Sequence, residues 1–354
     1  VRARSIVEPW TISIAAGLFY FYSARDGLIL AYVTAMIAAL IASLVPMFRH
    51  YGLPRGWSPH PVRIWRMARR NLPLAAADAI EWGTRRLDLA ILGLFATPAV
   101  VGVYYVAQQV ASLPQKLKTS FEPILGPVIT RNVATGNLGA IARQVSQVGF
   151  WIIAAQLGIA LALGIPGEAV MGLVGPTFVG GTGALAALLA AEVLATPAVV
   201  SEAALVYLAR HWNMLLSLAT IALQAVLTVA LILAGQAMAL PPLYIAALPA
   251  VALACAMAVG AIAKGVLLRR LCGAPIRIWR ASLVIAGLTG AIVGTAFTMM
   301  PPRYEWAELV FGVPALLLCY CYVVWTLGFS AEDRALFRKG KLGQSLGKEC
   351  EAKR

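Results

Sequence analysis

WNMLLSLATIALQAVLTVALILAG, residues Trp212–Gly235, runs for 24 residues without a charged side chain. Coiled as a helix at about 1.5 Å per residue it is long enough to cross a hydrocarbon layer of about 30 Å. As a barrel strand it is far too long, and its apolar residues do not alternate. With no water at that depth to satisfy backbone N–H and C=O groups, a helix that bonds them internally is the spanning form left to it.

The whole chain repeats this pattern. Of 354 residues, 60% are apolar and 12% charged, against about a quarter charged in an ordinary soluble domain. The surplus of apolar side chains has to face lipid. A net charge of +14 would suggest nucleic acid in a soluble protein, but here the basic residues sit between apolar runs, which points to membrane topology and to no nucleic-acid partner. Cys255, Cys272, Cys319, Cys321 and Cys350 match no zinc or redox spacing and read as small core residues.

The expected architecture is all-α, with ten membrane spans. Two come first, Ser5 to Tyr22 and Gly27 to Met47. The next three are Leu72 to Phe95, Val100 to Thr130 with prolines at 114, 123 and 127, and Leu138 to Gly164. Glu168 to Arg210 holds a short piece, the breaker Gly175-Pro176, the pair Gly180-Gly181 and a long helix expected to be interrupted at Pro197. The last four are Trp212 to Gly235, Leu243 to Leu268, Ala281 to Met300 and Trp306 to Phe329.

Between the second and third spans, Val62 to Arg70 places Arg63, Arg66, Arg69 and Arg70 on one face and Ile64, Trp65, Met67 and Ala68 on the other. That is the pattern of an interfacial helix on an anionic cytoplasmic leaflet. With both termini inside, 25 of the 29 basic residues fall at cytoplasmic positions, as the positive-inside rule requires. The sequence thus divides into a helix pair at 1–47, a basic linker at 48–71, six spans within 72–270, two more within 271–329 and a charged cytoplasmic tail at 330–354.

Asp78, Glu81, Arg85, Arg86 and Asp88 crowd into the span Leu72 to Phe95. Each charge facing lipid near the bilayer centre would cost about 2.5–3.5 kcal/mol. Asp78, Glu81, Arg85 and Asp88 lie within an arc of about 80° on a helix, with Arg86 further round. This stripe must face water or another polar helix. It is also explicable as intrahelical ion pairs that merely permit insertion, Glu81 with Arg85 and Arg85 with Asp88. The following span offers a matching stripe, Tyr104, Gln108, Ser112 and Gln115, which suits a cavity lining or interhelical hydrogen bonding equally. Glu192 and Glu202 flank Pro197, each either a coupling site or a satisfied carboxylate. Lys264, Arg269 and Arg270 read as snorkelling side chains. No Gly-rich nucleotide loop, metal-ligand cluster or nucleophile and base pair appears, so neither an enzyme nor a cofactor is expected.

The stretch Arg85 to Ala107, RRLDLAILGLFATPAVVGVYYVA, resembles a pattern in polysaccharide flippases of the multidrug/oligosaccharidyl-lipid/polysaccharide exporter superfamily. Asp88, Gly93, Val101, Gly102, Tyr104 and Ala107 stand at its positions, and Leu113-Pro114, Phe121, Pro127 and the basic linker fit as well. The resemblance implies two six-helix lobes around a cavity, often followed by two extra helices. Here Leu72 would open the second lobe, with only the last two helices of the first present, so the chain is expected to be a fragment or truncated reading frame lacking four spans.

The resemblance further implies the flipping of a lipid-linked oligosaccharide, on an undecaprenyl diphosphate carrier, across the bacterial cytoplasmic membrane during surface polysaccharide synthesis. A polymerase and co-polymerase would be its working partners. Arg85 and Arg86, with Tyr104 and Gln108, are the expected substrate contacts, since guanidinium groups bind phosphate oxygens bidentately. Asp88, Asp78, Glu81 and Glu192 are the ion-coupling candidates. A multidrug exporter of the same superfamily would instead favour an acidic, aromatic cavity. A membrane enzyme or scaffold of glycan assembly is the remaining alternative.

Overall fold

A computed structural model describes residues 6–23, 26–52, 60–114, 129–133, 135–299 and 305–329; for residues 51, 70, 73–82, 84, 85 and 305 within helices it describes the backbone alone. The described residues contain helices and turns but no strand. Two compact units divide the chain, Val1–Ala75 and Ala76–Arg354.

In the first unit, α1 (Glu8–Tyr20) and α2 (Gly27–Tyr51) pack on each other. Ala15, Ala31 and Ala35 are buried between them, because apolar helices in lipid associate through close packing of small residues and gain little from apolar burial. Gly27 is required for the turn that joins them: a Cβ there would lie 2.7 Å from the Phe19 carbonyl oxygen. The outer faces expose Trp10, Ile14, Leu18, Ile37 and Ile41, side chains suited to lipid.

A helix α3 (Pro61–Phe95) follows. The expected interfacial helix at Val62 to Arg70 is therefore not a separate element, since its helical backbone continues through Leu72 to Phe95. Its described arginines, Arg63, Arg66 and Arg69, are exposed, as are Ile64, Trp65 and Met67.

The second unit holds α4 (Pro98–Ala111), α5 (Leu138–Gly164), α6 (Gly167–Val174), α7 (Thr182–Leu208), α8 (Arg210–Ala237), α9 (Pro242–Cys272), α10 (Ala281–Thr298) and α11 (Val313–Val323). A short 3-10 turn, Pro176–Gly181, leads into α7, and π-helical turns Glu308–Gly312 and Val324–Gly328 flank α11. At the centre lies α7, which packs on α4, α5, α8 and α9. Within its most apolar stretch 56% of residues are buried, against 17% for α8. Both α7 and α9 bury many small residues, among them Ala184, Ala191, Ala195, Ala246, Ala250 and Ala256, which suits close packing of their backbones. Pro197 does not interrupt α7. It removes one backbone donor, and close packing on both sides keeps the helix continuous at that depth.

On the other side of α5, helices α10 and α11 form an outer pair. Gly158, Gly290 and Tyr320 meet there: a Cβ on Gly158 would stand 3.0 Å from the Tyr320 ring, whose hydroxyl donates to the Ala154 carbonyl at 2.7 Å. Arg280 donates to the Gly328 carbonyl at 2.7 Å and stacks 4.0 Å above the Phe150 ring, locking α10 to the end of the last span.

Among the described residues, seven helical segments are long and apolar enough to cross a membrane: Gly27–His50, Leu138–Gly164, Pro176–Leu208, Arg210–Ala237, Pro242–Cys272, Ala281–Thr298 and Glu308–Gly328. The chain is a multi-pass α-helical membrane protein. Three further expected spans are not among the seven. α1 has 13 residues, α3 includes five ionisable groups in its second half, and α4 ends at Ala111 ahead of residues 115–128, which lie outside the described ones. The cysteines depart from the expected core role: Cys272 is buried, but Cys255 and Cys321 are exposed and Cys319 is intermediate. Cys350 and the tail at 330–354 lie outside the described residues.

Candidate functional site

A two-residue connection, Ala96-Thr97, separates α3 from α4. Thr97 is extended at the N-cap and Pro98 opens the helix, where its missing N–H is no loss. The chain reverses there. Asp88 lies seven residues before the end of α3 and Tyr104 six after the start of α4, so each stands about 10 Å from the reversal and they come face to face.

Asp88 and Tyr104 are both fully buried. The Tyr104 hydroxyl donates to Asp88 Oδ2. Gln108, one turn further along α4, places Nε2 3.3 Å from Oδ2 and 3.4 Å from Oδ1. The Leu89 backbone N–H lies 2.9 Å from Oδ1. Around this group the walls are apolar: Leu92 and Ala107 from the same two helices, and Met171, Leu185, Leu188 and Leu189 from α6 and α7. Within the described residues the carboxylate is held by neutral donors, with no ion pair to it. Taking a carboxyl group out of water is costly, and neutral donors compensate only part of that. A carboxyl group so placed can hold a proton or a cation.

The structure thus brings together Asp88, Tyr104 and Gln108. Ser112 does not join them, since its hydroxyl turns back to the Gln109 carbonyl at 2.6 Å, and Gln115 lies outside the described residues. Arg86 is exposed on α3. Asp78, Glu81 and Arg85 stand on α3, but their side chains lie outside the described ones. Glu192 is half-buried on α7, far along the sequence from the Asp88 group.

Two further polar clusters escaped the sequence reading. Gln156 of α5, fully buried, donates to the Pro114 carbonyl at 3.2 Å and accepts from Thr196 of α7. Thr196 also contacts the Glu192 carbonyl, 3.1 Å away. Lys264 of α9 does not snorkel as expected: it is 5% exposed, with Nζ 2.8 Å from Glu202 Oε2 and 2.9 Å from Ser217 Oγ. An ammonium stays inside where a carboxylate meets it more closely than the interface would, here the partly exposed Glu202. The prior signal was a lysine eight residues before the end of α9 and a glutamate six before the end of α7.

Among the described residues no group of three His, Cys, Asp or Glu side chains could hold a metal ion. No protein-family model matches this chain, and no curated protein matches it.

Proposed function

We propose that this protein is a flippase-type transporter, moving a lipid-linked oligosaccharide from the cytoplasmic to the outer leaflet of a bacterial cytoplasmic membrane, with its C-terminus inside. The observation that carries the reading is the buried Asp88–Tyr104 pair with Gln108 beside it. It sits on the residues of α3 and α4 that give the chain its resemblance to polysaccharide flippases. An ionisable side chain within a membrane helix marks a substrate or ion pathway by default. The positive-inside distribution of lysine and arginine supports the orientation. In this reading Asp88 binds the coupling cation or proton, Tyr104 and Gln108 hold its carboxylate in position, and Arg85 and Arg86 meet the diphosphate. A bundle with ten spans and a second lobe beginning at Leu72 belongs to the same proposal, with alternating access as its mechanism.

One observation favours a second reading, a multidrug exporter of the same superfamily. The buried group is acidic and aromatic, and Arg86 is exposed, a balance better matched to a cationic organic substrate.

Translocation assays on the full chain in proteoliposomes separate the two. A fluorescent undecaprenyl-diphosphate oligosaccharide should become accessible to an external quencher in the presence of the wild-type protein, and Asp88→Asn should abolish this. Transport of a lipophilic organic cation with no oligosaccharide flipping would replace the first reading with the second.

A further inference from the structure

At one end of the second unit, α7 finishes at Leu208, α8 begins at Arg210 and α9 finishes at Cys272. Glu202, Asn213, Ser217 and Lys264 lie between three and eight residues inside those ends, so the cluster they form is about 5–12 Å deep. Gly260 allows it. A Cβ on Gly260 would fall 2.7 Å from Thr220 Oγ1, and this close approach of α8 and α9 brings Lys264, one turn on, to Ser217.

The carboxylate of Glu202 is held on both oxygens, by Lys264 Nζ at 2.8 Å on Oε2 and by Asn213 Nδ2 at 3.2 Å on Oε1. Ser217, which accepts from Lys264 at 2.9 Å, keeps its own O–H available. Taken without Glu202, the set is an ammonium and an amide N–H that each meet one carboxylate oxygen, with the Ser217 hydroxyl 2.9 Å from the ammonium, which is the chemistry of an oxyanion site. The two members of the ion pair are unequally sealed: 6% of the Lys264 side chain is exposed, against 39% for Glu202. The cation is fixed and the carboxylate has room to leave. A carboxylate open to lipid at that depth would be expensive, so its exposed edge faces water. Asn213 is itself 6% exposed, and its Oδ1 has no hydrogen-bond partner among the described residues. With Nδ2 committed to Glu202, this orphaned acceptor needs a donor beside the oxyanion, a role that a sugar hydroxyl would fill.

We infer that Lys264, Asn213 and Ser217 form an exchangeable oxyanion site, occupied at rest by Glu202, whose external ligand is a sugar bearing a carboxylate or phosphate next to a hydroxyl. The ligand's oxyanion takes the Glu202 position and its hydroxyl donates to Asn213 Oδ1. Glu202 then swings to the water it already touches, so Lys264 is never left unpaired, which would be the costly state for a buried charge. The inference deepens the transporter reading by assigning acidic glycan as the substrate class. It rests on that reading for the site's purpose, not for its binding.

The test uses the purified full chain in nanodiscs, with binding of glucuronate, glucose 1-phosphate and neutral glucose measured by calorimetry. Wild type should bind the two acidic sugars weakly and glucose not at all. Glu202→Gln, which removes the competing charge, should tighten acidic-sugar binding about tenfold, and Lys264→Met should abolish it in either background. The stronger of the two acidic sugars identifies the oxyanion. Glucose binding equal to that of the acidic sugars, or unchanged acidic-sugar affinity in Glu202→Gln, overturns the inference. If Glu202→Gln does not fold, Lys264→Met in the wild-type background decides alone, and undiminished acidic-sugar binding there overturns it. Binding as expected without flipping in proteoliposomes leaves the oxyanion site standing and removes the flippase reading. Flipping without such binding does the reverse.

Discussion

Removing the phenol oxygen from Tyr104 and the charge from Asp88, singly and together, measures how tightly the α3–α4 site is coupled. Tyr104→Phe leaves the ring in place among Leu92, Met171 and Leu185 but deprives the buried carboxylate of its hydroxyl donor. A hydrogen bond to a charged group contributes about 1.5–3 kcal/mol in proteins generally, while polar pairs between membrane helices average about 0.6 and reach about 1.7 kcal/mol. Full burial of both residues and the long Gln108 contacts, 3.3 and 3.4 Å, leave the phenol as the main support. The coupling energy between Tyr104→Phe and Asp88→Asn is therefore expected at about 1–2 kcal/mol. Reversible unfolding of the four proteins in mixed micelles, followed by tryptophan fluorescence, reads it directly. Additive losses, with a coupling under about 0.3 kcal/mol, would refute the argument that these two side chains form one unit.

Gly260→Ala should destabilise the α8–α9 contact by about 1–3 kcal/mol, the usual cost of overpacking, and Thr220→Ala should restore most of it, because the clash is with the Thr220 side chain. Tyr320→Phe should lose about 1 kcal/mol through its missing bond to the Ala154 carbonyl, as seen in the same micelle unfolding assay. A lipid-soluble maleimide should label Cys255 and Cys321 readily and Cys272 slowly, following their exposure, with mass spectrometry of the labelled protein as the check.

Helix positions were legible wherever an apolar run ended against a turn signal. Leu138 to Gly164 coincides at both ends with α5, bounded by Gly136-Asn137 with its side-chain cap on Ala140 and by Ile165-Pro166. Pro197 misled, because its local penalty says nothing of the packing on α7 that holds the helix through it. The stripes that carry Asp88 and, separately, Tyr104 with Gln108 were readable, but not that these three side chains meet. Three- and four-residue spacings fixed the helix faces, whereas the two-residue connection that turns them together is known from the structure. Lys264 and Glu202 are 62 residues apart, with α8 and much of α9 between them, and helical periodicity holds no information on pairing over that distance. Lys264 was consequently read from its neighbours alone, as a side chain near a helix end.

The proposed transport cycle requires the α3 face around Asp88 to open to water within the membrane. Cysteine substitutions at 85 and 92, which leave Asp88 in place, labelled in the full chain with a membrane-impermeant thiol reagent in cells before and after the ion gradient is collapsed, test it most directly. Labelling at both positions should change with the gradient, while a cysteine at Val226, exposed in the middle of the apolar helix α8, stays unlabelled throughout. Positions 85 and 92 sealed under every condition, in a protein that is folded and inserted, would contradict it.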